Sequence, residues 1–148
     1  MNRPRAALSA VWPALAIIAS MALVQLFLIT RPLDFLLTNI LPDDAFYYFE
    51  IARNIALGAG STFDGLTATN GYHPLWMLIL VPIYTFFGTG VGALEPIRVA
   101  LALCVGLNIA TGLLVWSMLG RFTRHAFVRT LALALWALNP FLLYQSIN

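Results

Sequence analysis

The sequence contains no lysine and few charged residues of any kind. Its eight basic residues are all arginine, and charged residues make up 9% of the chain, against about 25% in a soluble domain. Hydrophobic residues make up 61%, and the mean hydropathy is +0.86. This composition excludes an ordinary soluble fold. The arginines are also too few and too scattered for a nucleic-acid partner, which requires basic residues clustered on one face.

Cysteine and the common catalytic motifs are nearly absent as well. Cys104 is the only cysteine and cannot form an intramolecular disulfide; because it lies in an apolar run, we expect a small core residue. The sequence has no glycine-rich phosphate loop, no G-x-S-x-G and no metalloprotease motif. The sequence therefore contains no motif that indicates nucleotide-dependent, serine-hydrolase or zinc-peptidase chemistry.

Long apolar stretches are abundant. Residues 6–30, 97–120 and 130–148 are each long enough to cross the hydrocarbon core of a bilayer, which takes about 20 residues. The first stretch exceeds the apolar region of a signal peptide, about 7–15 residues, and ends without a small-residue cleavage site. The sequence therefore predicts an all-α polytopic membrane protein whose three transmembrane helices include an uncleaved first span.

The segment at about 74–87 is ambiguous, because it is apolar but short and contains Pro82. If it does not span, five arginines lie on the cytoplasmic side of the membrane and three on the external side; if it spans, the count reverses to three and five. The positive-inside rule then favours a cytoplasmic N-terminus, a large first external loop at 31–96 and a basic cytoplasmic loop at 121–129. The inner set in that arrangement is Arg3, Arg5, Arg121, Arg124 and Arg129.

Four of the six carboxylates, one of the two histidines and three of the five tyrosines lie between residues 41 and 76. A helix is predicted at about 43–58, since apolar residues recur there at spacings of 3, 4 and 7. One face carries Ala45, Tyr48, Ile51, Ala52, Ile55 and Ala56, and the opposite face carries Asp43, Tyr47, Glu50 and Asn54. Such a helix, like the one at 74–87, is expected to lie in the plane of the membrane interface. Glu50 and Arg53 can pair at i, i+3.

The Asp43-Asp44 pair after Pro42 is the sharpest chemical feature. Aspartate is favoured at helix N-termini for purely structural reasons, and it can equally serve as a general base or a metal ligand at the membrane surface. Both interpretations remain open for the pair. A single histidine beside several carboxylates is poor zinc spacing, so an oxygen-liking divalent cation such as Mg²⁺ or Mn²⁺ fits better.

Two further features concern helix packing. Ala102, Gly106 and Ala110 recur at four-residue spacing, which would let another helix approach closely. Asn108 lies in the middle of the second predicted span. A polar residue at that depth should face a neighbouring helix or a cavity.

The order of motifs resembles the N-terminal part of the polytopic GT-C glycosyltransferases. The specific part is Asp-Asp-x-Phe-Tyr-Tyr, Ile-Ala-Arg-Asn, a glycine-rich turn and Thr-Asn-Gly-Tyr-His-Pro-Leu-Trp, running from Asp43 to Trp76. Within that superfamily the chain looks most like bacterial enzymes similar to protein O-mannosyltransferases and to the lipid A aminoarabinose transferase. The resemblance covers essentially the whole chain, although its spans are generic.

The resemblance implies transfer of a sugar from a polyprenyl-phosphate carrier to an acceptor glycan, lipid or protein outside a bacterial cytoplasmic (inner) membrane. Asp43 would be the acceptor-activating base or the metal ligand, with Asp44 beside it, and His73 would approach the donor phosphate. The full set of expected substrate-binding residues is Tyr47, Glu50, Arg53, Asn70 and His73. Arg53 suits a phosphate because guanidinium matches phosphate geometry.

The chain is shorter than members of the family, which have more spans and usually a soluble C-terminal domain. The chain is therefore expected to be the N-terminal part of a longer enzyme, whose catalysis this part alone need not support. A non-catalytic accessory or remnant subunit of a larger membrane complex is the alternative. A transporter segment has the least support, since no span contains a charged pair or a broken helix.

Overall fold

The computed structural model describes residues 3–140, without the side chains of residues 3–10 and 43. Within this range the chain forms six α-helices and no β-strand, which confirms the all-α class. The helices are α1 (Arg3–Ile29), α2 (Leu33–Asn39), α3 (Asp43–Ala56), α4 (Pro74–Phe87), α5 (Leu94–Phe122) and α6 (Ala126–Ala137). Two compact units are present, one from residues before 29 and after 103, the other from residues 29–103.

Two helices are long and apolar enough to cross a membrane. They are α1, over Val11–Ile29, and α5. The helix α4 has 14 residues, or about 21 Å at 1.5 Å per residue, which is short of the roughly 30 Å hydrocarbon core. The helix α6 has 12 residues and ends before Asn139-Pro140, where the proline disfavours helix for the residue preceding it. The third predicted span, 130–148, extends into residues 141–148, outside the described range.

Helix boundaries differ from the predicted segments in two places. The short helix α2 falls within the expected external loop and was not anticipated. The basic segment 121–129 is mostly helical, because α5 continues to Phe122 and α6 begins at Ala126. His125 precedes α6 in an extended conformation (φ −74°, ψ 107°), so only residues 123–125 connect the two helices.

The unit that contains α6 has a small apolar core. Its buried cluster and the partly buried residues packed against it come from α1, α5 and α6. They are Ala14, Ile18, Trp116 and Leu133, with Ile17, Ile109, Val115 and Trp136 around them. Asn108 donates from Nδ2 to Oε1 of the fully buried Gln25 at 3.5 Å. This contact confirms that the mid-span asparagine faces a neighbouring helix.

The close helix approach in this unit occurs at Gly112. It does not occur at the predicted stripe of small residues, which is Ala102, Gly106 and Ala110. A Cβ placed on Gly112 would lie 3.1 Å from Ile18 Cγ1 and 3.3 Å from Trp136 Cζ3, whereas a Cβ on Gly106 would meet nothing within 4 Å. Ala102 and Ala110 are exposed like Gly106. The four-residue spacing therefore marks an open face among the described residues, and the intrachain packing uses a different glycine.

These two glycines give a matched prediction for stability. Gly112→Ala is expected to destabilise the fold by about 1–3 kcal/mol, because the added methyl overpacks the contact with Ile18 and Trp136. Gly106→Ala is expected to stabilise it by up to about 1 kcal/mol, because alanine is the better helix former and has room. The free energy of unfolding, measured by titrating SDS into mixed micelles, checks both. Equal effects of the two substitutions would contradict this packing.

The other unit is built on the packing of α3 against α4. Ile51 and Ala52 are fully buried, and the ring of Phe49 lies 6.4 Å from that of Tyr84. The apolar face of α3, expected to meet lipid, is therefore covered by the chain itself. Gly58, with φ +80°, follows the end of α3, a position that favours glycine.

Arg98, near the start of α5, caps the C-terminal end of α1 with its side chain. Its guanidinium donates to the backbone carbonyl oxygens of Ile29, Thr30 and Arg31 at 3.2–3.3 Å. These carbonyls at the end of the helix lack intrahelical partners. A cation at a helix C-terminus also interacts favourably with the helix dipole.

Candidate functional site

A cavity of about 530 Å³ opens at the N-terminal end of α3. This volume is within the usual range for small-molecule sites, about 300–1,000 Å³. Among the described lining residues Asp44 is the only charged one, and the others are apolar or aromatic. Those residues are Leu37, Leu41, Pro42, Phe46, Tyr47 and Phe63. We call this cavity the Asp44 pocket.

Asp44 is in the first turn of α3 but does not cap the helix. Pro42 occupies the N-cap position, with φ −71° and ψ 162°. The Asp44 side chain is exposed, and no described residue donates a hydrogen bond to it. Its carboxylate oxygens are therefore available to a ligand. Asp44 is therefore not the N-cap, but its position in the first turn still suits the positive end of the helix dipole, so the structural interpretation stays open beside the functional one.

The aromatic wall of the pocket is held in place by a hydrogen bond. The Tyr47 and Phe63 rings stack with centroids 5.0 Å apart and an interplanar angle of 25°. The Tyr47 hydroxyl forms a 2.7 Å hydrogen bond with Thr69 Oγ1. The Tyr47 ring therefore lines the pocket, and the Tyr47 hydroxyl binds the loop of residues 61–69.

Asn54 is the main link between α3 and that loop. Its side chain is only 7% exposed, and its Nδ2 donates to the carbonyl oxygens of Thr62 (2.9 Å) and Phe63 (3.1 Å). The face that carries Asn54 and Tyr47 was expected to be open to substrate. The structure instead folds the loop over it, because the loop carbonyls need donors and the amide supplies two.

Asp64 organises the tip of the loop. Its Oδ1 accepts from the backbone N–H of Leu66 (2.8 Å) and Thr67 (2.7 Å), and Thr62 and Thr67 donate their hydroxyls to the same carboxylate. Gly65 has a positive φ of 77°, as the Asp-Gly turn predicts. Asn70-Gly71 is also a common turn dipeptide, but Gly71 does not adopt a positive φ.

The loop is expected to loosen only in strong acid. Hydrogen bonds from the Thr67 and Leu66 backbone lower the pKa of Asp64 from 3.8 to about 2. A lowered pKa means that the carboxylate supports the loop above about pH 4, and that this support is lost as the pH falls through about 2. NMR titration of the Leu66 and Thr67 amide protons should show a midpoint near 2, absent in Asp64→Asn. A midpoint near 3.8 would contradict the assigned hydrogen bonds.

Glu50 and Arg53 form the ion pair that their spacing predicts. Arg53 Nη1 lies 2.7 Å from Glu50 Oε1, and Arg53 Nε donates to the Thr89 carbonyl oxygen at 2.8 Å. Arg53 therefore ties α3 to the segment after α4. Neither residue lines the Asp44 pocket. Burial, with a smaller contribution from the Glu50 carboxylate, raises the pKa of the nearby Tyr84, which stays neutral.

His73 and Asn70 also lie outside the Asp44 pocket. His73 is the N-cap residue of α4; its ring stacks on Tyr48 at 6.2 Å, and its backbone N–H donates to the Tyr48 hydroxyl at 3.1 Å. Asn70 is exposed on the loop. The structure therefore brings Asp44 and Tyr47 together in one cavity, while Glu50, Arg53, Asn70 and His73 lie elsewhere. Their substrate-binding roles stay predictions.

The described residues do not by themselves fit a Mg²⁺ or Mn²⁺ site. No group of three or more His, Cys, Asp and Glu side chains comes together among them. Asp43, the candidate metal ligand and predicted base, begins α3, but its side chain lies outside the described part of the chain. Its two predicted roles therefore stay predictions.

The sequence did not anticipate several residues of the pocket. Phe63 comes from the loop, and Leu37 comes from α2. Neither belongs to a periodic pattern, and no local motif connects them to Asp44. The aromatic run at 46–49 is the one feature of the sequence that indicates an aromatic wall here.

Comparison with known proteins adds no relative to this picture: no family model, curated protein or solved structure matches the chain.

Proposed function

We propose that this chain is a module of a polytopic membrane glycosyltransferase of the GT-C type. It would transfer a sugar from a polyprenyl-phosphate donor to an acceptor on the outer face of a bacterial inner membrane. The observation that carries the proposal is the Asp44 pocket, which joins a carboxylate that no described residue pairs with to aromatic walls. The proposed role of Asp44 shifts the base by one residue from the Asp43 expected from the motif.

The charge of the pocket favours the acceptor over the donor phosphate. Asp44 is the only charged group among the lining residues that the structure describes, and a carboxylate repels a phosphate but accepts a proton from a hydroxyl. In the proposed reaction Asp44 takes the proton of the acceptor hydroxyl. The acceptor oxygen then bonds to the anomeric carbon, and the carbon–oxygen bond to the carrier breaks. Polyprenyl phosphate leaves with the electron pair.

The aromatic side chains suit the proposed sugar ligand. The flat rings of Phe46, Tyr47 and Phe63 line the pocket and can lie against the C–H faces of a sugar ring. Few hydrogen-bonding groups compete there, so the acceptor hydroxyl is directed to the carboxylate. Leu37 and Leu41 extend the apolar lining, which suits a ligand that remains close to lipid.

The length of α4 supports the proposed topology. If α1 and α5 span and α4 does not, the residues between them lie on one side of the membrane, and the arginine count makes that side external. On α4, Leu75 and Leu78 are 74% and 72% exposed. We assign this face of α4 to membrane contact at headgroup depth, where apolar helix faces insert. We also propose that residues 130–148 form a third membrane span.

A transfer assay tests the function. The full chain is reconstituted into vesicles with a radiolabelled polyprenyl-phosphate sugar and a membrane extract that supplies acceptors. We expect labelled product that partitions away from the carrier lipid, and a loss of this product with Asp44→Asn. Transfer that is unchanged by Asp44→Asn would remove the role of Asp44.

The accessory-subunit alternative has one specific observation in its favour. Ala102, Gly106 and Ala110 are exposed on α5, with open space around Gly106, and such a face lets a partner helix approach closely. Disulfide crosslinking from cysteines placed at these positions, in membranes of the producing cell, distinguishes a protein partner from lipid. A crosslinked partner together with no transfer activity would favour this alternative.

A further inference from the structure

Negative charge is confined to one part of the sequence. All six carboxylates lie between Asp34 and Glu95, and residues 96–148 contain none. Three arginines and one histidine, by contrast, lie within residues 121–129, where α5 ends and α6 begins. We call this segment the 121–129 surface. Positive charge there has no acidic neighbour along the chain.

Arg129 is held in a fixed position within this surface. Its guanidinium carbon lies 3.9 Å from the centroid of a Trp116 ring, and Nη2 donates to the Trp116 carbonyl oxygen at 3.0 Å. A Cβ on Gly120 would lie 3.1 Å from the same Nη2, so the glycine makes room for the cation. No carboxylate among the described residues pairs with Arg129. Its charge therefore adds to the surface potential.

The exposed side chains of the 121–129 surface include basic and aromatic ones. Arg121, Arg124 and His125 are exposed, and Phe122 and Phe127 are 81% and 76% exposed. We propose that the 121–129 surface binds the headgroups of anionic phospholipids. The arginines contact the phosphate, and the two phenylalanine rings lie at the boundary between headgroups and acyl chains.

The two phenylalanines favour a lipid surface over an acidic protein. Exposed aromatic rings next to arginines are typical of the membrane interface, and the surface directly joins two apolar helices. Basic residues near an anionic leaflet each strengthen binding by about fivefold. A basic patch for an acidic peptide would not require rings of this kind. None of these residues lines the Asp44 pocket, so the proposed lipid site and the proposed sugar transfer use different residues.

Titration of the detergent-solubilised full chain with short-chain lipids tests the proposal. Dihexanoyl phosphatidylglycerol and dihexanoyl phosphatidylcholine have the same tails and differ in headgroup charge, and calorimetry gives both Kd values. We expect tighter binding of phosphatidylglycerol, weakened by salt. Arg121→Gln and Arg124→Gln should each weaken it about fivefold, and the double variant about 25-fold, with phosphatidylcholine binding unchanged.

Arg31→Gln is the matched control, since Arg31 is an exposed arginine of the other unit, and it should leave phosphatidylglycerol binding unchanged. Equal Kd values for the two lipids, or a double variant that keeps its affinity, would overturn the proposal. So would equally tight binding of inorganic phosphate or a polyglutamate peptide. Asp44→Asn should retain the lipid preference, so failure of this inference is distinguishable from failure of the proposed sugar transfer.

Discussion

Replacing Asp44 with asparagine is expected to lower the rate of sugar transfer by about 10²–10⁴-fold, the usual contribution of a general base. Asparagine keeps the size of the side chain and cannot take the acceptor proton. Because Asp44 is exposed and receives no hydrogen bond from the described residues, the substitution should leave the fold intact. Initial rates of label transfer in reconstituted vesicles measure the effect.

Two further substitutions make this measurement decisive. Glu95→Gln removes an exposed carboxylate at the start of α5, outside the pocket, and should leave the rate unchanged. Asp43→Asn compares the residue favoured by the motif with the one that lines the cavity. The residue whose loss falls in the 10²–10⁴ range is the base. If both variants transfer sugar at the unmodified rate, neither aspartate has this role.

Replacing Asn54 with aspartate is expected to detach the 61–69 loop from α3. The amide donates to two carbonyl oxygens in a buried position, and a carboxylate would present oxygen to oxygen. Each carbonyl that loses its donor costs about 1–3 kcal/mol, and burial of the new charge adds to this cost. Unfolding in mixed SDS micelles measures the stability, and hydrogen exchange of residues 61–69 should rise.

Asn70→Asp makes the same chemical change at an exposed position of the loop and should alter the stability by no more than about 0.5 kcal/mol. In the transfer assay, Asn54→Asp should raise KM for the acceptor more than it lowers kcat, because Phe63 leaves the pocket wall while Asp44 remains. Equal stability of the two variants would show that Asn54 does not hold the loop.

The helix α3 was predictable from periodicity, whereas the loop that covers it was not. The 3, 4, 7 spacing predicted a helix at about 43–58, and the structure forms one from Asp43 to Ala56. The same spacing divides α3 into an apolar face and a polar face, and a polar face by itself suggests exposure to solvent. Periodicity records only which residues share a face. It does not distinguish water from a loop whose carbonyls bind Asn54 and whose Thr69 binds Tyr47.

The small-residue stripe illustrates a second limit. Four-residue spacing identifies positions where a helix could approach, but the contact that forms depends on the neighbouring side chains. Gly112 was not singled out because no small residue repeats with it at that spacing, yet Ile18 and Trp136 pack against it. The Asp44 pocket is limited in the same way, since Phe63 and Leu37 become its walls only once the chain has folded.

The pocket is built from one short stretch of chain, and this has a consequence for biosynthesis. All its lining residues lie between Leu37 and Phe63, and the hydrogen bond that fixes its wall joins residues 22 positions apart. Closing such short loops costs little entropy, and proteins rich in local contacts fold quickly. Because synthesis proceeds at about 5–20 residues per second, the pocket should assemble while α5 is still being translated.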